Sequence, residues 1–128
     1  QALRSNTAGE NNIALWDSTL FHNSTWTNNV AIGKNAWRNN VIGVGNVFIG
    51  HQAGADETGS NKLYIANSAT STPLIKGDFS SKQVEINGSL KIGTTSSNCD
   101  ATTEWTIRYD KWAKIFQGCN GTNWVSLN

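Results

Sequence analysis

Nine carboxylates, two histidines, two cysteines and six tryptophans are the side chains of this 128-residue chain with most capacity for chemistry. The carboxylates are Glu10, Asp17, Asp56, Glu57, Asp78, Glu85, Asp100, Glu104 and Asp110. A glycosidase needs two acids across one cleft, one with its pKa raised by an apolar setting. Only Asp78, beside Phe79, has a semi-apolar neighbour, and Gly77-Asp78 reads more simply as a turn. Asp56 and Glu57 sit in a glycine-flanked loop. His22 and His51 are isolated in sequence, and no GxSxG nucleophile elbow occurs. The expectation is a protein that is not an enzyme and uses no cofactor or metal. His51 occupies a turn position next to an "IG" pair, where three copies around an axis could share an ion; a solvated turn histidine is the simpler reading.

Cys99 and Cys119 cannot fill a four-ligand zinc site, and neither histidine is in local spacing with them. In a chain rich in Gly and Asn they read as one local disulfide, with two free thiols as the alternative. Trp16, Trp26, Trp37, Trp105, Trp112 and Trp124 exceed what a small core needs. Exposed Trp stacks on sugar faces and supplies contact area for protein partners. Trp26, in the loop "NSTWTN", and Trp112, directly after a turn, are the candidate ligand-binding residues. Trp105 and Trp124 lie in alternating segments and are expected to pack. Sequons at Asn23, Asn87 and Asn120 fall in loops and are common by chance in so Asn-, Ser- and Thr-rich a chain.

Composition narrows the class of protein. The net charge of +1 marks neither a nucleic-acid-binding surface nor an acidic tail. No window is long and apolar enough for a membrane span. The opening "QALRSNTAGENN" reads as the interior of a longer protein. The chain holds 17 Asn and 12 Gly, yet six Trp argue against disorder. Such a polar, uncharged composition with regular apolar spots suits extracellular β-rich fibres, whose turns are made by Asn and Gly.

The elements that must position these groups come from an internal repeat. "NIALW" begins at Asn12, "NVAIG" at Asn29 and "NVFIG" at Asn46, 17 residues apart each time. Fixed spacing is the mark of stacked units too small to bury their own apolar faces. Each copy reads as a short strand and a turn. Ile13 and Leu15, Val30 and Ile32, and Val47 and Ile49 share one face, with Ile32 above Ile49 in a stacked core and Lys34 and Lys62 left wet. Asn12, Asn29 and Asn46 are candidates for a side-chain ladder, or else simply turn residues. Leu20 and Trp37 suggest a second stacked line that Gly54 breaks. Strands are also expected at 62–67, "KLYIAN", and 74–79, "LIKGDF". Asn87-Gly88 in "QVEINGSLKIG" gives the strongest short-range hairpin signal, leaving a tight hairpin or a corner open. A joint at 94–103 precedes a three-stranded meander whose thirty or so residues bury too little to fold alone.

The segments "NNVAIGKNAW" and "NVFIGHQAGADETGSNKLYIANSATSTPLIKGDFSSKQVEINGSLKIG" resemble a repeat family of long bacterial and phage fibre proteins. That family includes adhesins related to trimeric autotransporter heads and tail-fibre proteins that often end in a self-cleaving chaperone domain. "TEWTIRYDKWAKIFQGCNGTNWVSLN" resembles a short C-terminal module of such proteins in Bacteroidetes-like bacteria. The resemblance implies a parallel homotrimer in which Ile13, Leu15, Val30, Ile32, Val47 and Ile49 point inward. The 17-residue interval is longer than the family's regular spacing, and Trp16 stands where the family has Gly. The self-cleaving domain is absent, so no autoproteolysis is expected.

Together these readings predict an all-β, repetitive β-fibre, roll-like or prism-like, in an intertwined parallel homotrimer. Residues 1–60 form the short-repeat region, 61–98 a β-stem and 99–128 a small β-meander cap. The implied function is that of a distal structural module in an extracellular fibre, on a cell surface, a secreted injection device or a virion tail. The alternative is a tip that binds a cell-surface glycan or protein receptor through exposed Trp. Its expected partner is itself, without nucleic acid or membrane insertion.

Overall fold

The computed structural model describes residues 1–39, 42–94 and 97–127, and among them it has nine strands and no helix. Each 17-residue copy contributes one strand: β1 (Ile13–Leu15), β2 (Val30–Ile32) and β3 (Val47–Ile49). They pair in parallel with like residues opposed, Ile13 to Val30 to Val47 and Leu15 to Ile32 to Ile49. β4 (Lys62–Ile65) joins in the same sense, setting Leu63 beside Val47. β5 (Ile75–Asp78) and β6 (Gln83–Ile86) follow antiparallel and complete a six-stranded sheet in chain order.

The asparagine ladder is present. Asn12 Oδ1 accepts from the Asn29 backbone N–H at 3.0 Å and from its side-chain amide at 3.2 Å. Asn29 Oδ1 does the same for Asn46, at 3.0 and 3.3 Å. The three side-chain amides also donate to the loops below their strands, at the Trp26, Gly43 and Gly59 carbonyls. Asn29 and Asn46 are fully buried, so these bonds replace water that the groups have lost. The ladder ends at Lys62, whose N–H donates to Asn46 Oδ1 at 2.8 Å but which has no amide to continue it.

The turns repeat as well. Positive φ recurs down the stack at Asn11, Asn28, Gly45 and Asn61, at Trp16, Gly33 and Gly50, and at Leu3, Leu20, Trp37 and Gly54. Left-handed backbone costs an ordinary L-residue roughly 1–2 kcal/mol, while Gly and Asn adopt it readily. This demand accounts for much of the Asn and Gly content around the strands.

Alternation splits the sheet into two faces. The middle residues Ala14, Ala31, Phe48 and Tyr64 point into the chain's own core, where they meet Leu20, Ala36, Trp37 and Ala53. Trp37 and Phe48 lie 5.2 Å apart between ring centroids, and Phe48 and Tyr64 lie 5.6 Å apart. Volumes are complementary from rung to rung. The second copy pairs small Ala31 with large Trp37, and the third pairs large Phe48 with Gly54. A Cβ on Gly54 would sit 2.2 Å from the Phe48 ring, so Gly54 continues the second stacked line by making room rather than breaking it.

Ile13, Leu15, Val30, Ile32, Val47 and Ile49 do share one face, but it is the face away from this core. Ile13 and Leu15 stay more than half exposed within the chain. The chain's own stacked core is therefore not on the expected Ile32 and Ile49 face but on the opposite one, which the turn residues Leu20 and Trp37 roof over. Lys34 is exposed as expected, whereas Lys62 is half-buried and pairs with Asp78 at 2.6 Å.

The chain divides into two compact units, Gln1–Ser89 and Leu90–Asn128. The sheet runs unbroken from β3 to β4, so residues on both sides of position 60 belong to the first unit. Asn87-Gly88 makes no hairpin. β6 already pairs with β5, and Asn87 hooks back instead, its N–H to the Leu74 carbonyl and its amide to the Pro73 carbonyl. Residues 95 and 96 of the expected joint lie outside the described residues.

The second unit is an antiparallel meander of β7 (Ile107–Asp110), β8 (Ile115–Cys119) and β9 (Trp124–Ser126). Asp110 Oδ1 caps the first turn by accepting from the Trp112 and Ala113 N–H groups. A Cys99–Cys119 disulfide ties the entering segment to the end of β8. Such a bond persists in oxidising compartments and is compatible with an extracellular protein. Among the described residues no helix is long and apolar enough to cross a membrane.

Candidate functional site

The carboxylates nearest to cavities hold the fold. Asp78 accepts from Lys62 and from the Ser80 and Ser81 N–H groups, and these bonds, led by the lysine, hold its pKa down at about 2. Glu57 lines a 290 Å³ hollow, where Tyr64 donates to it at 2.6 Å. Burial raises Glu57, but the bonds from Tyr64 and the Gly59 N–H outweigh it and leave the carboxyl below its ordinary value. Burial, and then the hydrogen bond to Glu57 and its charge, push the Tyr64 hydroxyl upward. Asp56 accepts from Asn39 at the surface. His51 is exposed in its turn, and His22 Nδ1 lies 2.9 Å from the Arg38 carbonyl. Among the described residues no group of three His, Cys, Asp or Glu is placed to hold a metal.

The tryptophans sort differently from their sequence context. Trp112 is 86 % exposed, with Lys111 Nζ 5.1 Å from its ring centroid. Trp26 is half-buried, and its carbonyl accepts the Asn12 and Asn23 amides. The two candidates lie in different units, so neither unit contains both. Trp105, expected to pack, is 86 % exposed. The alternating pattern extends to it, but β7 starts only at Ile107, and Trp105 sits in the preceding turn with a φ of 69°. Trp124 packs as expected, with the Arg108 guanidinium 4.0 Å from its ring centroid and its Nε1 donating to the Ser97 carbonyl. Of the sequons, Asn23 has a buried side chain, while Asn120 is exposed.

Two larger surfaces emerge from the register. The first is the outer face of the six-stranded sheet. Ile13, Val30, Val47 and Leu63 continue across Gly77 to Val84, and Leu15, Ile32, Ile49, Ile65, Ile75 and Ile86 form a second, unbroken column. The face is aliphatic from edge to edge and no residue of it is fully buried except Gly77. Six strands about 4.8 Å apart make it roughly 24 Å long. Sequence reasoning found its first six members; Leu63 and Ile65 join through the parallel β4, and the rest depend on the antiparallel return of β5 and β6, which no repeat announces.

The second surface is a groove of about 630 Å³ in the meander unit, between the Asn98–Asp100 segment, the Thr122–Asn123 turn and the stacked Arg108 and Trp124. The disulfide forms part of its wall. The meander alternates like the larger sheet. Ile107, Tyr109, Phe116 and Val125 occupy one face, while Arg108, Gln117 and Trp124 occupy the other with the groove. The groove escaped sequence reasoning because the disulfide and two separate turns bring its residues together.

No family model, no curated protein and no solved structure matches this chain.

Proposed function

We propose that this chain is a structural module of an extracellular fibre, assembled as a parallel homotrimer through the aliphatic face of its six-stranded sheet. The observation that carries the reading is the two-column aliphatic face itself. A monomer rarely leaves so continuous an apolar surface in water. The face is built from similar aliphatic rungs and bears no charge, so copies of the chain are its natural cover. Cyclic symmetry lets three such faces pool into one closed core and leaves none exposed. The resemblance of the "NVAIG" and "NVFIG" segments to trimeric fibre repeats supports the same assembly. The role is mechanical and non-enzymatic, and it suits a cell-surface appendage, a secreted injection device and a virion tail alike.

Light scattering at low micromolar concentration is expected to give three times the 13.9 kDa chain mass. Ile32→Asp places a charge in the middle of the face and should release folded monomers. A wild-type chain that stays folded, soluble and monomeric at that concentration would remove the basis for the proposal.

A further inference from the structure

We infer that the groove of the meander unit is a binding site for a neutral saccharide. Three observations converge on it. First, its backbone is fixed while its polar tips are free. Thr103 Oγ1 donates to the Asn98 carbonyl at 2.8 Å, and Asn120 Oδ1 accepts from the Thr122 and Asn123 N–H groups at 3.1 and 2.8 Å. The side-chain amides of Asn98 and Asn123 and the Thr122 hydroxyl form no hydrogen bond among the described residues. Held segments that present unused donors and acceptors lose little entropy when a ligand takes them. Hydroxyl-rich ligands need such paired donor and acceptor groups.

Second, the one cation among the described residues that line the groove, Arg108, is already partnered. Arg108 spends its Nε on Gln117 at 2.9 Å and lies 3.9 Å from Asp110. Asp100 is held by Thr102 and Thr103, chiefly by the Thr102 hydroxyl, which keeps its carboxyl below the ordinary range. The Asp100 charge is therefore retained and repels an anionic ligand, while a sugar hydroxyl can donate to the carboxylate. The stacked Arg108 and Trp124 supply the rigid, partly apolar wall that the carbon face of a sugar ring requires.

Third, the groove and the meander's apolar residues are on opposite faces of the sheet. The apolar residues Ile107, Phe116 and Val125 lie on the opposite face, so covering them with a partner copy leaves the groove open. The inference does not depend on the trimer, because every residue of the site comes from one chain.

The experiment is affinity electrophoresis of the full chain through gels containing mannan, dextran or N-acetylglucosamine oligomers, with dextran sulfate as an anionic arm. Saturable retardation by at least one neutral saccharide is expected. Asn98→Ala combined with Asn123→Ala should weaken it about tenfold or more, the loss of two or so hydrogen bonds. Both residues are exposed and make no internal side-chain bond, so the melting temperature should hold. Lys34→Ala, at an exposed position of the other unit, should leave retardation within about twofold of wild type. Retardation by dextran sulfate alone, by none of the four, or by a neutral saccharide without loss in the double variant would each overturn the site. Failure of the site would leave the trimer's scattering mass untouched, so the two proposals fall separately.

Discussion

The rungs of the N-terminal unit and the strands of the C-terminal meander are equally short, yet they are held differently. In the first unit Leu20, Ala31, Trp37, Phe48 and Tyr64 interlock behind the sheet, and a buried asparagine column runs through the rungs. In the second, Cys119 is the one buried apolar residue among those described, and a covalent bond closes the entry loop onto β8. The difference teaches how little length a β-unit needs when each rung satisfies the next, and what must replace that mutual support when there is no repeat. Small units without a core commonly rely on a disulfide or a partner.

The largest expected effect tests the packed side of this contrast. Trp37→Ala removes a fully buried ring that packs on Phe48 and donates through Nε1 to the Glu57 carbonyl at 2.9 Å. A loss of about 3–5 kcal/mol is expected, a large fraction of the roughly 5–15 kcal/mol that holds an ordinary domain. Circular dichroism melts should show that unit lost while the meander's disulfide remains oxidised by mass spectrometry. If Trp37→Ala melts with wild type, the interlocked core does not hold the rungs together.

The staple comes next. Cys99→Ser with Cys119→Ser should cost the meander about 2–5 kcal/mol, because the open chain regains loop entropy and no core compensates. Hydrogen exchange is expected to rise in β7 to β9 and to stay unchanged in β1 to β6. Equal loosening of both sheets would contradict the division of labour between them.

Asn29→Ala probes the ladder with a smaller effect. It deletes the acceptor for the Asn46 N–H and amide and the donor to the Gly43 carbonyl, all at a buried position. Stranding such groups costs roughly 1–3 kcal/mol. The half-buried Asn12 sits at the outer end of the column and bonds one rung only, so Asn12→Ala should cost less. Thermal melts of the two variants rank them, and equal melting temperatures would reduce the ladder to a row of independent turn residues.

How much of this was legible beforehand follows the same contrast. Where the chain repeats, sequence register is structural register: the offset of 17 aligned Val30 with Val47 and Ile32 with Ile49 before any coordinates. The local disulfide was legible from composition and spacing. The direction of the chain's own core was not, because Ala14 and Ala31 look too small to be core until Leu20 and Trp37 are seen to arrive by left-handed turns. The exposed Trp105 misled for a related reason, since an alternating pattern does not tell where pairing begins. The groove needed three separated segments, and local pattern carries no such information.

Trp16 gives the smallest effect and tests the repeat at its irregular rung. It follows β1 with a φ of 103°, where Gly33 and Gly50 hold 125° and 114° in the next two rungs. A bulky side chain rarely occupies that region, and the strain is of order 1–3 kcal/mol. Its indole is 68 % exposed, so little burial within the chain offsets the strain. Trp16→Gly should relieve the backbone, while the more flexible unfolded chain takes back about 0.5–1 kcal/mol. A net gain of about 1 kcal/mol is expected, which raises the melting point of a unit this size by about 4–8 °C. Dilution series separate the contributions, since a gain confined to the fold does not depend on chain concentration. If the variant instead melts lower, and more so on dilution, the indole makes a contact between chains worth more than the strain. The first rung would then differ from its copies because it serves the assembly rather than the stack.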